Sequence, residues 1–161
     1  MRLEYLIWSV LLCGTIAFVP GCKTRHEVVK ATPMLDERLG KNIVEGLTNP
    51  SQVTYFEVRP DFESQQRYQI VSEKKVLPED LQWVLQEILL DDRSYFFNKT
   101  KMCLFVPELG FRFIGKNEVL VLVSFSCRQI KFISNGKEQI LDEDPQYKFF
   151  ETNFRELLTH F

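Results

Sequence analysis

The side chains here that could do covalent or redox work are four cysteines and two histidines. Cys103 and Cys127 both fall in the stretch from Met102 to Ile133, the longest apolar run outside the N-terminus. A reactive thiol needs a feature that lowers its pKa, and no C-x-x-C spacing, helix start or neighbouring His supplies one. Three readings of the pair stay open: a structural disulfide, two buried free thiols, or a redox or metal couple.

Strand register decides among them. Phe111 and Phe113 fall on one face of a strand, Arg112 and Ile114 on the other, and Gly115-Lys116-Asn117-Glu118 offers a hairpin turn. A two-residue loop at Lys116-Asn117 sets Ile114 opposite Val119 and Cys127 opposite Val106, with Cys103 three positions away on the wrong face. Pro107-Glu108-Leu109-Gly110 cannot run through a regular ladder, because Pro has no N–H and Gly often marks a bulge. Three residues absorbed there bring Cys103 opposite Cys127. One leaves them diagonal, too far for a bond that needs Cα atoms about 4.4–6.8 Å apart. The disulfide therefore depends on that kink. Val121, Val123, Phe125 and Cys127 share one face, but Ile130 and Phe132 continue on even numbers, which predicts a bulge or bend at Arg128-Gln129.

The remaining polar residues form no catalytic constellation. His26 lies in a polar tether and His160 in the last turn of the final helix, neither beside a nucleophile motif. No G-x-x-x-x-G-K-[ST], G-x-G-x-x-G or H-E-x-x-H sequence occurs. Asp61, Asp91 and Asp92 could each meet another carboxylate in space, but each reads as a cap or loop residue. Asp142-Glu143-Asp144 lacks the alternating spacing of a calcium loop, and Asp144 before Pro145 reads as a helix N-cap. No catalytic residue, cofactor or metal is expected, and so no enzyme activity. The net charge of −2 is spread without a basic stripe, so there is no electrostatic footprint for nucleic acid.

The N-terminus carries an address. Arg2 precedes an uncharged run from Tyr5 to Val19, near signal-peptide length and short of the roughly 20 apolar residues of a membrane span. Val19-Pro20-Gly21-Cys22 resembles the lipobox of bacterial lipoproteins, with an aliphatic residue at the third position before Cys and a small one just before it. The resemblance implies that the Cys22 sulfur receives a diacylglyceryl group and that cleavage makes Cys22 the acylated N-terminus. One acyl chain holds marginally and two or three hold firmly, at about 0.8 kcal/mol per buried CH₂. Lys23 after the cysteine implies, in that family, the outer membrane, with the chain facing the periplasm or cell surface. Cys103 and Cys127 are then an even pair in an oxidising compartment.

The elements that would position these residues follow from pattern. Residues 1–21 read as the signal, 22–31 as the lipidated N-terminus and tether, and 32–161 as one α+β domain. Thr32-Pro33 opens a helix carrying Leu35, Leu39 and Ile43, with Gly46 as its stop. Val53–Val58 and Arg67–Val76 read as paired strands around a polar loop from Pro60 to Gln65. Pro78 starts a second helix whose apolar face is Leu81, Val84, Leu85, Ile88 and Leu89; Trp83 falls off the stripe and is expected to cover a strand. A last helix carries Tyr147, Phe150, Phe154, Leu157 and Phe161. The predicted fold is an antiparallel sheet of four or five strands with two or three helices packed on one face.

Cys103-x-x-x-Pro107-x-x-Gly110-x-x-Phe113, followed by Phe125-Ser126-Cys127, resembles a pattern in small uncharacterised bacterial lipoproteins in which a helix precedes the two strands. It covers roughly residues 78–133, supports the fold and implies no substrate. The expected function is a lipid-anchored envelope protein that binds or scaffolds a protein, glycan or lipid without catalysis. The alternatives are an inhibitor or immunity-type protein presenting the loop from Pro60 to Gln65, and a thiol-redox protein using Cys103 and Cys127.

Overall fold

The computed structural model describes residues 29–98 and 101–158; the N-terminal signal, Cys22, His26, His160 and Phe161 lie outside them. Among the described residues seven strands form an antiparallel sheet: β1 (Gln52–Pro60), β2 (Tyr68–Ile70), β3 (Lys75–Val76), β4 (Leu109–Ile114), β5 (Val119–Ser124), β6 (Gln129–Ser134) and β7 (Lys137–Asp142). The order is β2-β1-β4-β5-β6-β7, with β3 also pairing β1. Four α-helices accompany it: α1 (Pro33–Leu39), α2 (Lys41–Thr48), α3 (Glu79–Leu89) and α4 (Tyr147–Phe154). The class is the expected α+β, with more strands and one more helix than the pattern predicts.

Each difference has a local cause. The predicted first helix is two, because Gly40 breaks it at φ +82°, a conformation open to a residue without Cβ. Gly46 is not a stop but an interior residue of α2. A Cβ there would lie 2.5 Å from both Asn117 O and Val119 Cγ2, so its bare face lets the helix rest on the β4–β5 turn. The predicted second strand splits into β2 and β3 at Val71–Lys74. There the Glu57 N–H is met by the Ser72 hydroxyl at 2.8 Å rather than by a backbone carbonyl.

In the central hairpin Phe113, not Ile114, faces Val119. The two-residue loop is ruled out because no residue from Gly115 to Glu118 has the positive φ that such a turn requires. The phase slip before Ile130 is a full chain reversal rather than a bulge. Ser124 pairs with Gln129 across the turn 125–128, where Arg128 has φ +53°. β7 follows through Asn135-Gly136, both at positive φ, closing a tight hairpin between Ser134 and Lys137.

Alternation sorts the sheet into two faces. Val53, Phe111, Phe113, Val119, Val121, Val123, Ile130, Phe132 and Leu141 point to one side and pack with Leu35, Leu47, Leu85, Leu89, Phe150 and Phe154 from the four helices. Val29 and Ala31, at the end of the expected tether, pack on the same core. Trp83 is half-buried in the wall of a surface trough with Glu87, Asp91 and Arg93.

Candidate functional site

Among the described residues no helix packs on the other face of the sheet. Its central row, in register across five strands, is Phe56, Gly110, Leu122, Lys131 and Ile140. Phe56 and Leu122 are fully buried and join Val58, with Tyr68, Phe105, Leu120 and Ile133 partly buried around them. Gly110 lies inside regular β4 rather than at a kink, because the Phe56 ring lies across it. A Cβ on residue 110 would stand 2.4 Å from Phe56 Cε2.

What covers this face is a strap, residues 101–108, that belongs to no strand. Three sets of contacts fix it. At its start Lys101 Nζ donates to Cys127 O at 2.9 Å and Arg128 O at 3.2 Å, and pairs with Asp144 at 2.6 Å. Next, Cys103 and Cys127 lie at disulfide distance, with Cα atoms 5.9 Å apart. At its end the Glu108 carboxylate accepts the Ser126 N–H at 3.0 Å, while the Glu108 N–H donates to Val123 O. The cysteines therefore meet because the whole strap leaves the ladder and crosses to the β5–β6 turn. A few residues absorbed within a ladder are not the cause.

Between strap and sheet lies a hollow of about 200 Å³. Leu122 and Ile140 come from the sheet, Leu104, Phe105 and Pro107 from the strap, and Phe62, Gln66, Arg67 and Tyr68 from the β1–β2 side. The loop that presents Phe62 is shaped by Asp61, whose carboxylate accepts the N–H groups of Glu63 and Ser64 at 3.2 Å each. Arg67 closes that loop at φ +60°. Phe62 and Leu104 are 61% and 65% exposed, which marks the mouth as apolar and open. Lys131 stands at the rim, paired with Glu138 at 3.1 Å and lying over the Phe105 ring.

The acidic run sits at the far end of the sheet. Asp142 accepts from Gln129 Nε2 at 2.7 Å. Asp144 does not cap α4 with its side chain; its carboxylate holds Lys101 and, at 3.7 Å, Arg128, while Gln146 precedes the helix. Glu143 turns into the core, 1% exposed, and its Oε1 has no hydrogen-bond partner among the described residues. Burial first, then the neighbouring Asp144, pushes its carboxyl up to about 8 against the pull of Lys101. Burial likewise pushes the Tyr95 phenol well up, and its hydroxyl donates to Leu89 O at 3.1 Å. Sequence reasoning missed Glu143; the only signal was its parity with Leu141, visible once β7 is recognised.

Asp91 and Asp92 do meet side chain to side chain, but Arg93 is the larger influence on Asp91. Asp91 holds Arg93 at 2.7 Å, which lowers its carboxyl below the usual range, and Asp61 shapes its own loop. Among the described residues no three His, Cys, Asp or Glu side chains are placed to hold a metal ion, and no helix is long and apolar enough to cross a membrane.

The geometry defines an open antiparallel α+β sheet, one face closed by helices and the other by a pinned strap. No protein-family model, curated protein or solved structure matches this chain.

Proposed function

We propose that this chain is a lipid-anchored, non-enzymatic envelope protein that binds another component through the strap-covered face of its sheet. The observation that carries the binding surface is the hollow at which Phe62 and Leu104 stay largely exposed above a buried apolar floor. Exposed apolar groups gathered around one depression favour a contact surface over a merely solvated one. The anchor rests on Val19-Pro20-Gly21-Cys22, with diacylglyceryl and palmitate-type acylation at Cys22, and Lys23 after it favours the outer membrane in a cell that has one. An oxidising envelope compartment would keep Cys103 and Cys127 bonded and the strap in place.

A photo-crosslinking side chain at position 62 or 104 of the full chain should give discrete adducts in cells, while one at Glu37 on the helical side should not. Adducts equally spread over both, or none at either, would remove the surface. Cys22→Ala should move the protein out of the membrane fraction; unchanged partitioning would remove the anchor.

The inhibitor reading is favoured by one observation, the protrusion of Phe62 from the loop 61–67. It predicts that the adduct formed at position 62 is a single enzyme or toxin.

A further inference from the structure

The lining of the hollow is distinctive in charge as well as in shape. Its walls are aromatic and aliphatic, and the two charged side chains among its lining residues, Arg67 and Lys131, are both cations. Lys131 is shared with Glu138. Arg67 has no side-chain partner among the described residues: its N–H and carbonyl close the loop onto Ser64 and Asp61 and leave the guanidinium at the mouth. A free guanidinium beside an apolar depression recognises a carboxylate in a bidentate fork, which an ammonium ion cannot do. Size narrows the class further. An apolar cavity of roughly 150 Å³ accepts benzene, so the ≈ 200 Å³ here takes one ring with a short stem. Phe62, Tyr68 and Phe105 offer ring faces and edges to such a group.

We propose that the hollow is a binding site for a small aromatic monocarboxylate, its ring between Phe62, Phe105 and Leu122 and its carboxylate on Arg67. This rests on the reading of the strap-covered face as the binding surface and adds the ligand class to it. The strap forms one wall, so the site exists only while residues 104–107 stay docked. Glu138 neutralises Lys131, which leaves Arg67 as the lining cation available to the carboxylate.

The test uses the full chain in detergent, labelled at its Leu and Ile methyl groups, titrated with 3-phenylpropanoate, its neutral amide and the 3-phenylpropylammonium cation. The carboxylate should shift the methyl signals of Leu104, Leu122 and Ile140 and bind about tenfold tighter than the amide, with the cation weaker still. Arg67→Gln should bring the carboxylate down to the amide's affinity and leave the amide unchanged. Leu104→Asp, at an exposed position that does not endanger folding, should weaken both the carboxylate and the amide. Equal affinities for the three probes, shifts confined to other methyls, or no shift at millimolar concentration would overturn the assignment. Binding of a peptide ending in Phe with no binding of 3-phenylpropanoate would also overturn it, in favour of a chain terminus as ligand. Adducts at positions 62 and 104 without probe binding would sink the ligand class and leave the surface standing; absence of both would sink both.

Discussion

Phe111, Phe113 and Phe132 on the inner face of the sheet are wholly buried beneath four helices. Phe56 and Leu122 on the outer face reach almost the same burial beneath a strap of eight residues and the long side chains beside it. Helices cover a sheet with side chains that interdigitate over a wide area, so the inner face is closed and its order follows from hydrophobic burial. A strap cannot bury its own flanks. It needs point anchors, here Lys101, Cys103 and Glu108, and it leaves Leu104 and Phe62 in water. One sheet thus carries a face that holds the fold together and a face whose apolar groups are only partly spent on folding.

The sharpest way to break this contrast is to cut equal aromatics from both sides. Phe111→Ala should cost about 3–5 kcal/mol in urea unfolding, as full deletions in a packed core do. Phe105→Ala on the strap should cost less, about 1–2 kcal/mol, because its ring is only partly buried. Equal losses would mean that the outer face is a second core. Removing the cross-link comes next. With 24 positions between the cysteines, Cys103→Ala with Cys127→Ala should lose about 3 kcal/mol by chain entropy. Hydrogen exchange should rise over 101–108 and the β5–β6 turn while β4 and α3 stay protected. Exchange rising evenly across the sheet would deny the strap any separate standing.

The inner face has its own weak point, and it is electrostatic. Glu143 lies with Tyr95, Asp144 and Lys101 as its charged or titratable neighbours. Its value in the folded protein, about 8, stands above the ordinary 4.5. The neutral carboxyl is therefore the form that folding favours. Its contribution is complete below about pH 4.5 and is lost as the pH rises through 8. Glu143→Gln should flatten that slope and stabilise the protein at pH 8, by up to about 4 kcal/mol. A denaturation midpoint with the same pH slope in both proteins would place the carboxyl in water after all.

The two faces were not equally legible in the sequence. The inner face declares itself through period: odd positions of β4 and β5, then even positions of β6, and the four-residue spacing of Leu81, Leu85 and Leu89. The phase change at Arg128 was visible but misassigned, because a bulge and a tight reversal both shift parity and only the pairing partner distinguishes them. β7 hid behind an acidic run, although Asn135-Gly136 is a strong hairpin signal. The outer face left almost no trace. Gly110 looks like a bulge unless the Phe56 ring lying on it is known, and a strap has no period to read. Its anchors are contacts between residues 15 to 43 positions apart (Glu108 with Val123 or Ser126, Lys101 with Asp144), which arise only from the fold.

The smallest stability change carries the most weight for the outer face. Leu104 is 65% exposed, so Leu104→Ser removes little buried apolar area, and the unfolding midpoint should stay within about 0.5 kcal/mol of the wild type. A leucine that folding does not need, held at the mouth of a hollow by a strap anchored on both sides of it, has to be explained by what it meets outside the chain. The same variant should therefore weaken whatever adduct forms at position 62 while leaving thermal unfolding unmoved. A clear destabilisation by Leu104→Ser would return the residue to the fold and make the strap a part of the core.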